Sequence, residues 1–248
     1  MTRAPELGVQ LYSVRDDLGD ALPGTLRRLA AMGFTHVEPY DILSDTELLA
    51  SSLEDAGLQA RTCHSKIHEL DREAVVRAAG RLGIDTVIVP WVQPESIATA
   101  DGVLDLADRI NDAARFAADH GIRIGYHNHD FEFTQHVDGA PAYELLVSQL
   151  DDDVILEVDT YWASVGGADV FELLPRLRDR VRFLHVTNEP PDPEDPPARV
   201  PVVGRLGEIV ELSRGYVEFP VVEVVVHEGD VFPLLKRNAA YFLEQVQR

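Results

Sequence analysis

The feature that most narrows the fold is an alternation. A short β-rich run is followed by a helical stretch, and the pair occurs eight times. The runs are Leu7–Tyr12, Thr35–Glu38, Leu58–Cys63, Thr86–Val89, Ile122–His127, Val154–Val158, Arg182–Val186 and Pro220–Val225. Between and after them lie helical stretches at Ala21–Met32, Asp45–Ala56, Asp71–Leu82, Gly102–His120, Ala142–Leu150, Val170–Asp179, Arg205–Ser213 and Val231–Val246. Gly33, Gly57, Gly83 and Gly121 close the first four, where a left-handed residue ends a helix. Alternation of this kind predicts a parallel sheet. Eight units in 248 residues predict one closed (β/α)8 barrel spanning 1–248, with no residue run left for a second domain. An open doubly wound sheet would carry a Gly-rich phosphate loop after its first strand; here that turn reads Ser13-Val14-Arg15-Asp16-Asp17.

Charge and cysteine usage exclude several function classes. The formal net charge is −21, which repels phosphate backbones and anionic lipid, so neither nucleic acid nor membrane is expected as a partner. No apolar run approaches the ~18 residues of a spanning helix, and Met1–Glu6 lacks the apolar core of a signal peptide, so the expected location is cytoplasmic. The single cysteine, Cys63, rules out an internal disulfide and a Cys-rich zinc site, and its place late in a strand suits a buried thiol. The segment Asn188–Pro201 (NEPPDPEDPPARVP) follows the seventh strand and is a candidate lid.

In such a barrel the chemistry gathers where the strands end. Those ends carry Gln10, Tyr12, Glu38, His64, Trp91, His127, Asn128, His129, Glu132, Glu157, Asp159, His185 and Glu223. His127 and His129 share a face if the strand is still extended, and Glu132 follows closely. Glu157 and Asp159 also share a face, with Glu157 the deeper, as a supporting or buried structural acid. Glu223 is a lone acid inside the apolar run Val221–Val226, costly unless paired or metal-bound. Imidazoles and carboxylates converging from several strands are the donor set of a divalent metal site. His64 and Trp91 suit substrate binding, one as a polar contact and the other as a stacking face for a sugar ring; Gln10 joins them.

The segments Leu7-Gly8-Val9-Gln10-Leu11-Tyr12-Ser13-Val14-Arg15, His127-Asn128-His129-Asp130-Phe131-Glu132-Phe133, Asp159-Thr160 and His185 occur in an order that resembles the xylose isomerase-like sugar phosphate isomerase/epimerase family. Inosose dehydratases and keto-sugar epimerases are relatives within it. The resemblance implies a TIM barrel with one divalent metal (Mn, Co, Zn or Mg), held from strands five to eight. Asp159, His185 and Glu223 match three of those positions; the strand-five position falls on His127, with Glu132 as the alternative. Three departures lie on one side: Thr187-Asn188 where Lys-Asp is common, Glu223-Val224-Val225 where Glu-x-Asp is common, and Gly204-Arg205-Leu206 for Gly-x-Gly.

The resemblance further implies an isomerase or epimerase of a sugar, keto-sugar or related polyol, removing a proton next to a carbonyl through an enediolate. Glu223, with Glu132 or His129, forms the expected acid–base pair. Rival readings are a dehydratase or lyase using the same site on a keto-polyol or keto-glycoside, a catalytically reduced sugar-binding barrel or complex subunit, and metal-dependent phosphodiester hydrolysis, which the net charge opposes. The expected partner is a small-molecule sugar or polyol, and a homo-oligomer stays possible.

Overall fold

The computed structural model describes residues 6–187, 202–224 and 229–246. Eight parallel strands form the sheet: β1 Gly8–Gln10, β2 His36–Glu38, β3 Thr62–His64, β4 Thr86–Val89, β5 Arg123–His127, β6 Ile155–Asp159, β7 Val181–Val186 and β8 Phe219–Val222. Eight longer helices lie between and after them: α1 Leu22–Ala30, α2 Thr46–Ala56, α3 Arg72–Leu82, α4 Ala100–Ala118, α5 Ala142–Gln149, α6 Val170–Arg176, α7 Leu206–Ser213 and α8 Phe232–Val246. The strand order is β2-β1-β8-β7-β6-β5-β4-β3. The last seam closes through Gln59, ahead of β3: Val37 N donates to Gln59 O at 2.8 Å and Gln59 N to Thr35 O at 3.2 Å. His64 N then donates to Pro39 O at 2.8 Å, so the eight strands make a nearly closed barrel.

Local chemistry sets the element ends. Asp45 and Asp71, expected as the first helical residues, are instead caps, their carboxylates accepting from Leu48 N and Ala74 N. Gly57 closes α2 at φ +67°, a conformation that other residues adopt only with strain. β1 stops at Gln10 rather than Tyr12, because Gln10 Oε1 accepts from Tyr12 N and turns the chain into a 3-10 helix at Leu11–Asp17. That turn places Tyr12 on the rim, 40% exposed.

The alternation of strand faces stacks the barrel interior in layers. At the N-terminal ends of the strands, Arg61 and Arg123 each bridge Asp85 and Glu218 in a closed ring of ion pairs. Above it is a dry layer of Ile88, Ile155, Phe183, Phe219 and Val221. Above that, at the C-terminal ends, the inward residues turn polar: Gln10, Glu38, His64, His127, Glu157, Asp159 and His185 are all buried. A larger apolar shell joins the outer strand faces to the helices. Among the described residues no helix is long and apolar enough to cross a membrane. The candidate lid, 188–201, lies outside the described residues, as do Val225 and Asn188 of the family departures.

Candidate functional site

Strand register brings the polar residues together. β6 pairs with β7 so that Asp159 lies beside His185, and β5 with β6 so that His127 lies beside Glu157. His185 lies beside Val221, so Glu223 emerges just past the end of β8, its N–H donating to Val186 O at 3.3 Å. Ligand atoms of His127, Asp159, His185 and Glu223 all fall within 4.8 Å of one another. A second group, His64, His127, Glu157 and His185, meets the same limit and shares two members with the first.

The two groups differ in what already occupies their atoms. In the deeper one, Glu157 Oε2 contacts His64 Nε2 at 2.8 Å, His127 Nδ1 at 3.1 Å and His185 Nε2 at 3.2 Å. Glu38 Oε1 accepts from Gln10 Nε2 at 2.8 Å and pairs with His185 Nε2 at 2.8 Å and His64 Nε2 at 3.0 Å. This is a closed network of carboxylates and imidazoles. The shallower group opens outward: His127 and Glu223 line a cavity of about 570 Å³ at the strand ends, together with His64, His129, Lys66 and Trp91.

Protonation follows from these surroundings. Burial opposes charge on Glu38, but the imidazoles of His64 and His185 hold its carboxyl well below the usual range. Burial also works against the His64 cation, yet Glu38 and Glu157 raise it to about 9. His127 is held well below its ordinary value by burial and by the cations of His185 and His64, which keeps it a neutral imidazole. Burial pushes Asp159 up to about 8, with His185 opposing and Glu223 adding to the shift. Its Oδ1 caps the short helix Thr160–Val165 by accepting from Trp162 N at 2.7 Å.

The shallower donor set fits a divalent cation. It joins two imidazoles, one of them neutral, to two carboxylates, a mixture of borderline and hard donors suited to Mg, Mn, Co or Zn. A buried carboxylic acid such as Asp159 ionises most readily beside a cation.

Other sequence-predicted residues fall elsewhere. Glu132 does not join the cluster. It sits in a four-residue helix, Phe131–Thr134, fully buried, where Oε1 accepts from Tyr126 OH at 2.8 Å and Oε2 from His129 N at 2.8 Å. Tyr126 points outward from β5, opposite to His127, so Glu132 braces the loop behind the site. His129 lines the cavity, stacks on Phe131 and lies near Trp162; burial lowers it to about 4, and its Nδ1 makes no hydrogen bond. Gln10 lies beside Glu38 and outside the cavity lining, whereas His64 and Trp91 line the cavity. Glu38, absent from the expected catalytic, binding and metal sets, is a hub of the deeper network; a lone acid inside the buried strand His36-Val37-Glu38 is the same signal that singles out Glu223.

A family model described as xylose isomerase-like TIM barrel matches residues 26–229. No curated protein matches the chain. Among solved structures, a sugar phosphate isomerase/epimerase from Parabacteroides distasonis superposes with a TM-score of 0.82 at 22% identity, covering 98% of this chain and 94% of that one. The apo form of 3-keto-D-glucoside 4-epimerase from E. coli gives 0.69 at 16% identity over 97% and 99%. A xylose isomerase-like TIM barrel protein from Mycobacterium smegmatis, in complex with magnesium, gives 0.69 at 17% over 99% and 98%. At these identities the likeness is one of fold.

Proposed function

The chain belongs to the xylose isomerase-like TIM barrel family, and on that premise we propose that it is a divalent-metal-dependent isomerase or epimerase of a sugar, keto-sugar or related polyol. The observation that carries this reading is the convergence of His127, Asp159, His185 and Glu223 within 4.8 Å, with His127 and Glu223 also lining the cavity. These four residues would hold the metal. When bound there, a divalent ion supplies Lewis-acid polarisation of a substrate carbonyl, which acidifies the adjacent C–H.

The protein's own groups do the rest. Glu223 is the base that takes the proton from the carbon next to the carbonyl. Glu223 Oε2 lies 3.0 Å from His185 Nδ1, so these two atoms would face the ion and the other carboxylate oxygen is left for the proton. His129, an imidazole on the cavity wall, is the partner that returns a proton, which it must first take up from solvent to become an imidazolium against the burial that lowers it to about 4. Return to the same carbon gives epimerisation; return to its neighbour gives isomerisation. Trp91 offers a ring face to the sugar, and His64 a polar contact at the floor. The deeper network of Glu38 and Glu157 fixes the His185 ring through Nε2 and leaves Nδ1 for the ion.

The test is solvent exchange. Protein loaded with Mn or Mg and incubated in deuterium oxide with a panel of keto-sugars should introduce deuterium at the carbon next to the carbonyl. Fully metal-loaded protein that exchanges none of the panel contradicts the proposal.

A further inference from the structure

The cavity is larger and more apolar than one sugar ring requires. Seven large hydrophobic side chains are exposed among the described residues, and four of them, Tyr12, Tyr40, Leu43 and Leu70, line this one cavity. Exposed apolar surface gathered at one place marks something that covers it. Here it forms the outer wall of a concave space whose floor carries His127 and Glu223. Tyr12 and Tyr40 meet edge to face, with centroids 5.3 Å apart at 88°, so the wall has rigid flat sides. Trp91 stands on the same wall, with the Lys66 ammonium 4.7 Å from its ring centroid.

The polar content of the wall points the same way. Lys66 is the one lysine or arginine among the described lining residues; His64 on the floor is already paired with Glu38 and Glu157, and the carboxylates of Asp41 and Glu223 share the lining. A phosphate needs several converging donors and a positive field; the lining offers a single ammonium beside two carboxylates, in a protein of net charge −21. A pyranose ring seated over His127 and Glu223 would fill only part of the roughly 570 Å³, a volume in the range that holds ligands of two or more rings.

We infer that the outer part of this cavity is a subsite for the planar, apolar aglycone of an uncharged glycoside, so that the substrate class is aryl or similarly apolar glycosides of a keto-sugar rather than sugar phosphates. The inference rests on the isomerase or epimerase reading for the reaction, but the subsite itself is testable without turnover. The aglycone ring stacks against Tyr40, and Leu43 and Leu70 cover its edges. The sugar is directed inward to the histidines and carboxylates.

The experiment is calorimetric titration of the full-length, metal-loaded protein with three ordinary, unoxidised probes: p-nitrophenyl glucoside, methyl glucoside (both anomers of each) and glucose 6-phosphate. Burial of an aryl ring on this wall predicts affinity for the p-nitrophenyl glucoside about tenfold or more above the methyl glucoside. Glucose 6-phosphate should bind no tighter than the methyl glucoside. The ratio should fall toward one in Leu70→Ser and in Tyr40→Ser, both at exposed positions where the fold tolerates polarity. Equal affinity for aryl and methyl glucosides, or tighter binding of the phosphate, overturns the inference. So does a concentration-dependent dimer in sedimentation that Leu70→Ser abolishes, because the patch would then be a contact between copies. Absence of deuterium exchange in the keto-sugar panel, with the aryl preference intact, would remove the reaction and leave the subsite standing.

Discussion

At the residue scale, Glu223, partly exposed, and Glu132, fully buried, look alike in sequence but differ in their surroundings. Glu223 faces the cavity and His185; Glu132 is locked to Tyr126 and the His129 backbone. Glu223→Gln should lower kcat for deuterium exchange by about 10²–10⁴-fold. Glu132→Gln should keep kcat within about tenfold and instead lower stability by about 1–2 kcal/mol, since an amide nitrogen cannot accept the bond that one carboxylate oxygen accepts. Denaturant unfolding and exchange kinetics on the two variants check both statements. A different residue, His68, governs part of the acid response. Burial pushes it down to about 4, with Glu69 opposing, and neither ring nitrogen has a hydrogen-bond partner. The unfolded chain, with His near 6.5, takes the proton first. The stability that neutral His68 contributes is therefore complete above about pH 6.5 and is lost as the pH falls toward 4. A His68→Leu variant should show a smaller fall in unfolding free energy over that window than the parent. Sequence made Glu223 visible because a lone acid in an apolar strand has few tolerable fates; the same logic reaches Glu38. It could not locate Glu132, whose direction depends on a one-turn helix with no periodicity long enough to read.

Elements position these residues through close contacts that only small side chains allow. The helix Thr160–Val165, capped by Asp159, ends against the Phe131–Thr134 turn that follows His129. A Cβ on Gly166 would lie 2.7 Å from Asp130 O and 2.7 Å from Phe133 Cβ. Gly166→Ala should cost about 1–3 kcal/mol and should shift the His129 ring resonances in NMR spectra, because the backbone of that loop must move. The boundaries of the elements were legible where a cap marks them, as at Asp45, Asp71 and Gly57. They were less so at β1 and β3. The first is cut short when the Gln10 side chain accepts from Tyr12 N, and the second begins four residues later than its β-rich run, at Thr62 rather than Leu58, because the seam beside it is an isolated bridge at Gln59 and a bond from His64 N to Pro39 O rather than a continuous ladder. The second is a tertiary effect, and the first is a local side-chain bond that the residue type alone does not announce.

For the molecule as a whole, eight repeated units made the barrel readable, since the hydrophobic periodicity runs along the whole chain and glycine punctuation agrees with it over the first four units. The layering inside it was legible only in part. That Arg61, Asp85, Arg123 and Glu218 would close one ring at the N-terminal ends depends on the order of strands in the sheet. The net charge of −21 acts over the same scale. Self-repulsion of the folded state is screened by salt, so raising NaCl from about 0.05 to 0.5 M should increase the unfolding midpoint in urea. A midpoint that falls with salt would assign more stability to the surface ion pairs than to relief of repulsion. The central claim is that His127, Asp159, His185 and Glu223 form one metal site. Its most direct measurement is the manganese content of protein purified without chelators and equilibrated with Mn²⁺, compared with Asp159→Asn, whose amide oxygen can still cap the Thr160–Val165 helix. About one ion per chain is expected for the parent, and a loss of at least tenfold in affinity for the folded variant. Substantially less than one ion in the parent, or equal affinity in Asp159→Asn, would contradict it.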